Sequence, residues 1–285
     1  MYKHHWDCFT SFQSTSLCDV SFPASPHSVA LFIIHLSQRK LAIRTIRTYT
    51  SAISYVHKLN NQIDPTNSFL VSKAILGLQN QNQQSQRPPL QPITRPILYK
   101  LIDCIPACAQ SLYYVKMWTA LFQLCFHACL RVGEAVQSSS TQHTLQLHQL
   151  LVSPTQVTIA FSSYKHSNQA TPSIVIQSHP QGPASRCPVL ALTQYLDLRS
   201  KESGPLFVDP LGVPLHRSAF CSFLKQVLTA AGLDHNVYNT HSFRIGRATQ
   251  LAQDNHSSET IRSAGRWKSS AYIGYIRSSN INLPP

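Results

Sequence analysis

Residues 241–247, HSFRIGR, and residues 265–277, GRWKSSAYIGYIR, decide how this chain is read. With a helix over 242–253 and Thr240 as its N-cap, His241 and Arg244 share one face at i and i+3, and Arg247 continues the spacing. A histidine beside an arginine suits a phosphate. The second stretch adds Arg266, Trp267, Lys268 and Tyr275, side chains that carry positive charge, donate hydrogen bonds or present a hydroxyl. Each alone says little, since a tyrosine in a short amphipathic segment usually packs and a lone histidine is usually a surface group. Tyr272 stands one helical turn before Tyr275 and competes with it.

Toward the N-terminus, the β-branched runs QVTIAF (156–161) and SIVIQ (173–177) predict a hairpin whose polar loop contains Lys165. An apolar helix predicted over 112–130 runs into ACLRVGEA (128–135), with Arg131 and Glu134 near its end, where a helix dipole alone would favour the arginine. Further helices are predicted over 188–199, over 218–231 with Gly232 as a stop, over 242–253, and in two short segments after that. QNQNQQSQRPPLQP (79–92) is polar, low in complexity and then proline-rich, which marks a linker over 81–92.

Ahead of that linker, residues 26–80 read as a small all-helical unit. Pro26 opens a helix through VALFIIHL, and a third helix is expected over 69–78. Between them Ile43, Ile46, Tyr49, Ile53, Val56 and Leu59 form a core stripe, with Arg44 and Arg47 off it, one turn apart and facing solvent or a phosphate backbone. Residues 1–25 show no sustained periodicity and read as a loosely held, unassigned leader, while 93–285 form the larger, mixed unit. The expected fold is mainly α with a small β-hairpin or sheet.

At 285 residues and 43% apolar content the chain can bury a substantial core. Lysine and arginine number 24 against 11 acidic residues, a formal charge of +13. Both sides of residue 90 share that excess, so a polyanionic partner touching both parts fits better than a basic tail. The early apolar run at 29–34 is too short to span a bilayer, and the chain reads as soluble and intracellular. Eight scattered cysteines are expected as free thiols. Cys125, His127 and Cys129 lie close in sequence, but His127 would point to another face, and the 14 histidines show no paired zinc spacing, so no metal is expected.

HSFRIGR followed by GRWKSSAYIGYIR resembles the C-terminal signature of the tyrosine recombinases of the phage-integrase family. The earlier motifs occur in the family's order: ACLRVGEA resembles its first arginine box, with Arg131 the arginine and Glu134 its acidic follower, and SSYKHSNQ sits where the family keeps a lysine on a hairpin. Residues 30–80 are similar to the helical DNA-clamping domain of the subgroup carried by eukaryotic mobile elements of the DIRS, Ngaro and Crypton kinds.

The resemblance implies a DNA breaking and rejoining enzyme with Tyr275 as nucleophile, a 3′-phosphotyrosyl intermediate and no cofactor. Arg131 and Arg244 would clamp the non-bridging oxygens, with His241 and Trp267, or Arg266 in its place, as further donors, because charge accumulates on those oxygens as the hydroxyl attacks. His241 is a candidate base and Lys165 the acid for the leaving 5′ oxygen. Double-stranded DNA is the implied partner, contacted by Arg44, Arg47, Arg247 and Lys268, with several protomers assembling on it and the nucleus as the site of action. Two other readings remain open: a DNA-binding protein that has lost the chemistry, and a type IB topoisomerase-like enzyme.

Overall fold

The computed structural model describes residues 2–15, 21–82, 88–138, 143–161, 173–179 and 182–277. It divides into two compact units, 1–87 and 88–285. Its described residues are mainly helical, with one small antiparallel sheet.

The first unit holds four helices, α1 (Tyr2–Thr15), α2 (Pro26–Gln38), α3 (Ile43–Leu59) and α4 (Phe69–Asn82). The existence of α1 corrects the reading of 1–25 as a loose leader. Its aromatic residues recur at three-residue intervals, Trp6, Phe9 and Phe12, so they form a face rather than a bias of composition. Phe9 is completely buried, its ring 5.2 Å from Phe32 in edge contact. Burying such a side chain contributes about 2–3 kcal/mol, enough to hold a helix whose polar sequence would not fold alone.

Ser25 caps α2 by accepting from the Ser28 amide at 3.1 Å, and Pro26 occupies the first turn, where a missing N–H costs nothing. On α3 the core face runs through Ile46, Thr50, Ile53 and His57, while Leu59, expected in the stripe, is 67% exposed. His57 takes over that end of the face. Its Nδ1 pairs with the Ile53 carbonyl at 2.8 Å and its Nε2 with the Ala24 amide at 2.9 Å, which satisfies both ring nitrogens of the buried side chain.

The second unit contains α5 (Arg95–Cys108), α6 (Leu112–His127), the single turn α7 (Val132–Ala135), α8 (Pro188–Leu198), α9 (Arg217–Ala230), α10 (Ser242–Gln253) and α11 (Ser258–Ala264). Every residue of α6 from Met117 to His127 is buried, which makes it the central helix of the core. It stops at 127 rather than 130, because the chain turns through a left-handed Cys129 (φ 49°). The sheet has order β1–β2–β3, with β1 (Leu150–Val152), β2 (Gln156–Ala160) and β3 (Ser173–Gln177). Val157 and Ile159 point inward from β2, opposite Ile176 and Ile174 of β3. Helix α5 and strand β1 were not singled out by the sequence reading.

Helix α10 lies against the segment that precedes α5. A Cβ on Gly246 would come within 1.8 Å of the Ile93 carbonyl oxygen, so only glycine permits the approach, and the Ile93 amide donates to the Ser242 carbonyl at 3.0 Å.

Candidate active site

Four segments of the second unit meet around Arg244. This side chain leaves the first turn of α10 and is 0% exposed. Its Nη1 donates to the Cys129 carbonyl at 2.5 Å, and its Nη2 donates to the Gly265 carbonyl, leaving a buried Nε without a partner. The left-handed turn at Cys129 presents that carbonyl, so the end of α6 and the start of α10 are joined through one guanidinium.

Arg131 follows the turn. Its amide donates to Glu134 Oε2 and its Nη1 to Glu134 Oε1, each at 2.8 Å, closing α7 on itself. Glu134 Oε2 also receives Nη2 of Arg266 at 2.6 Å, with both of those side chains only 2% exposed. Nη1 of Arg266 donates to the Ala128 carbonyl at 3.1 Å, and its guanidinium carbon lies 4.1 Å from the centre of the Phe161 ring. One buried carboxylate thus carries two arginines, and the arginine expected as a possible phosphate donor is turned into the core.

The backbone explains this orientation. Helix α11 ends in a paired cap: the Arg266 amide donates to the Ser263 carbonyl and the Trp267 amide to the Arg262 carbonyl, each at 3.0 Å. Arg266 occupies the left-handed position of that cap (φ 53°), which points its side chain inward. The indole of Trp267 folds back over Gly265, where a Cβ would fall 1.7 Å from Cζ3. It covers Arg244 at 4.2 Å and meets the Tyr275 ring edge-on at 4.9 Å. Its Nε1 is buried and unpartnered.

Tyr275 ends a 3-10 turn, Ser270–Tyr275. Its half-buried ring is 5.5 Å from the Arg244 guanidinium and 5.0 Å from the His241 ring. Tyr272, its rival, is buried in a cluster with Leu251, Ala252 and Ile261. Thr249, on α10, ties the turn down: its hydroxyl donates to the Tyr275 carbonyl at 3.4 Å and accepts from the Arg277 amide at 3.1 Å.

His241 stands at the start of α10, partly open to solvent but with its ring packed against Tyr275. The expected cap at Thr240 is not used; the Asn239 Oδ1 accepts from the His241 amide at 2.8 Å instead. Desolvation, followed by the charges of Arg244, Arg131 and Arg277, holds the His241 imidazole below its ordinary pKa, so it is neutral at pH 7 and can accept a proton.

No family model matches the chain. The integrase/recombinase xerD homolog of Selenomonas ruminantium is 29% identical over 271 residues, spanning 91% of this chain and 75% of that protein. Among solved structures, the XerH site-specific recombinase in a post-cleavage complex with its palindromic difH substrate superposes with a TM-score of 0.65 at 17% identity, over 96% of this chain and 74% of that one. This chain folds as a tyrosine recombinase. A lambda integrase dimer bound to a COC′ core site shares the same fold, with a TM-score of 0.61 at 11% identity over all of this chain and 72% of that one.

Within the tyrosine-recombinase fold, Arg131, His241, Arg244, Trp267 and Tyr275 come together, and Glu134 and Arg266 lie directly behind Arg131. Lys165 lies outside the described residues. Arg44 and Arg47 are exposed on α3, and Lys268 is exposed beside Trp267. Arg247 faces away from this cluster, its guanidinium 5.7 Å from the Phe126 ring. Sequence reasoning missed Thr249, Asn239 and Gly265 as parts of the site. Gly265 alone had a signal, as the residue before the Arg-Trp pair. Among the described residues no group of three or more histidine, cysteine or acidic side chains is placed to hold a metal, and no helix is long and apolar enough to cross a membrane.

Proposed function

We propose that this chain cuts and rejoins duplex DNA through a covalent 3′-phosphotyrosyl intermediate. The observation that carries the reading is the packing of Tyr275 and Trp267 over the buried guanidinium of Arg244, with the His241 ring against Tyr275. In the reaction, Tyr275 Oη attacks a phosphorus atom, the bond from phosphorus to the 5′ oxygen breaks, and the phenolic proton passes to neutral His241. Lys165 protonates the departing 5′ oxygen. Arg131, Arg244 and the Trp267 indole N–H offset the charge that builds on the non-bridging oxygens. The phosphotyrosyl bond retains the energy of the broken phosphodiester, so a second 5′-hydroxyl reverses the step without a cofactor.

Exposed Arg44, Arg47 and Lys268 contact the DNA backbone in this reading, and the net charge of +13 supports it. Strand exchange calls for several protomers on one DNA. The resemblance of the motifs to those of eukaryotic mobile elements extends the reading to a mobile-element recombinase acting in the nucleus.

The test is a nicked suicide duplex carrying the chain's own flanking DNA. A denaturant-resistant adduct should form with the wild type and with Tyr272→Phe and be absent with Tyr275→Phe. Loss in Tyr272→Phe with retention in Tyr275→Phe would reassign the nucleophile. One observation favours a second reading, a DNA-binding protein without the chemistry: Arg244 is fully buried, with Trp267 and Tyr275 packed over it. Tight DNA binding with no adduct from any variant would support it.

A further inference from the structure

A second concentration of basic side chains lies in the larger unit and shares no residue with the site around Arg244. A cavity of about 240 Å³ is lined by Arg95, His127, His179, Arg247, Asp254 and His256. Its floor is costly as it stands. His127, at the last turn of α6, is 6% exposed and its Nε2 has no hydrogen-bond partner among the described residues. Arg247, from α10, has a buried Nε without a partner and no carboxylate within ion-pair distance among the described residues. The cavity's carboxylate, Asp254, already pairs with Arg95 at 3.6 Å and accepts from Gln250 at 3.0 Å. Buried donors and charges are normally satisfied, so a floor of this kind asks for an acceptor that the described residues do not supply.

We propose that this cavity binds a phosphate group. A tetrahedral anion accepts from several directions at once, which matches a planar guanidinium fork on the floor and imidazole N–H donors at the side and rim. The volume falls below the roughly 300–1,000 Å³ of pockets for drug-sized ligands, which favours a single phosphate over a nucleotide. Burial, then the charges of Arg247, His179 and Arg95, hold His127 well below its ordinary pKa, and His179 is lowered by burial and the same two arginines, consistent with an uncompensated positive field. The phosphate is either a free ion or part of a DNA backbone. The site itself does not depend on the recombinase reading.

Inorganic phosphate is titrated into the full chain against chloride at equal ionic strength, followed by the thermal midpoint and the phosphorus NMR linewidth. Phosphate should raise the midpoint where chloride does not. Arg247→Gln should weaken binding roughly tenfold, the effect of losing a charge-assisted hydrogen bond. His179→Ala, at the exposed rim, should also weaken it and serves if Arg247→Gln fails to fold. Asp254→Asn should tighten binding several-fold, an opposite sign that a folding defect would not produce. Equal midpoints in phosphate and chloride, or an affinity unmoved by both His179→Ala and Asp254→Asn, would overturn the proposal. A duplex-DNA arm separates the sources. A backbone phosphate in the cavity would make Arg247→Gln lower the slope of log affinity against log salt by about one. A free ion would leave that slope unchanged, and the proposal stands with either slope once phosphate binding is shown.

Discussion

Replacing Arg266 by methionine leaves Glu134 in the core with one partner instead of two. Both side chains of the lost pair are 2% exposed, so solvent does little to screen the change. Removing one member of a buried ion pair typically costs about 3–5 kcal/mol, and the surviving bond from Arg131 puts this case near 3 kcal/mol. With a urea slope of about 2 kcal/mol per molar for a unit of this size, the midpoint should fall by roughly 1.5 M. Tryptophan fluorescence reads the transition, because Trp118 and Trp267 belong to the larger unit, and Trp6→Phe silences the smaller one. The double variant Arg266→Met, Glu134→Leu should recover at least half of the loss, since an apolar pair of similar volume can replace a buried ion pair. It should not recover DNA adduct formation, because Arg131 has lost its anchor. A loss under about 1 kcal/mol in the single variant, or no recovery in the double, would refute the reasoning.

Gly265→Ala should displace the indole of Trp267, since the new Cβ would sit 1.7 Å from Cζ3; adduct formation should fall at least tenfold while DNA binding changes little, and an unchanged adduct yield would count against the placement of Trp267. In the smaller unit, burial opposes ionisation of Asp64, but bonds from Ser54, Thr66 and Lys58 prevail and hold it at about 2. That depression corresponds to about 2 kcal/mol, present above the unfolded value near 4 and lost as pH falls through about 2. Asp64→Asn should therefore cost about 2 kcal/mol at pH 7 in urea unfolding followed by Trp6, and a cost below about 0.5 kcal/mol would contradict the assignment. Burial and neighbouring positive charge hold His127 far below its ordinary value, so between about pH 6.5 and its folded pKa the unfolded chain binds a proton that the folded chain refuses. Stability should fall as the medium is acidified below about pH 6.5, and His127→Gln should flatten that slope; an unaltered slope would show that His127 is not responsible.

The helices of the larger unit were legible where apolar residues recur with a clear period, as in α6, α8 and α10, and the β2–β3 hairpin was legible from its β-branched runs. Helix α1 was not, because its face is aromatic and short and its remaining residues are polar, so only the partners Phe32 and Tyr49 on other helices reveal why it folds. The ordered set Arg131, His241, Arg244 and Tyr275 could be picked out by residue type and order. The division of labour between Arg266 and Trp267 could not, since it depends on a left-handed residue at the end of α11 that sends one side chain inward and the next across Gly265. Thr249 was invisible for a related reason: nothing in its sequence neighbourhood says that its hydroxyl will meet a carbonyl 26 positions later.

That hydroxyl places His241, Arg244 and the tether of Tyr275 on one rod, α10. Any tilt or slide of the helix carries His241, Arg244 and Tyr275, the acceptor, clamp and nucleophile of the proposed reaction, together and leaves their mutual spacing nearly unchanged. Errors of docking on a distorted or mismatched duplex would therefore be felt as a displacement of the whole set relative to the phosphate, not as a scrambling within it. Such a site would act as a gauge, fully aligned with its target or uniformly out of reach.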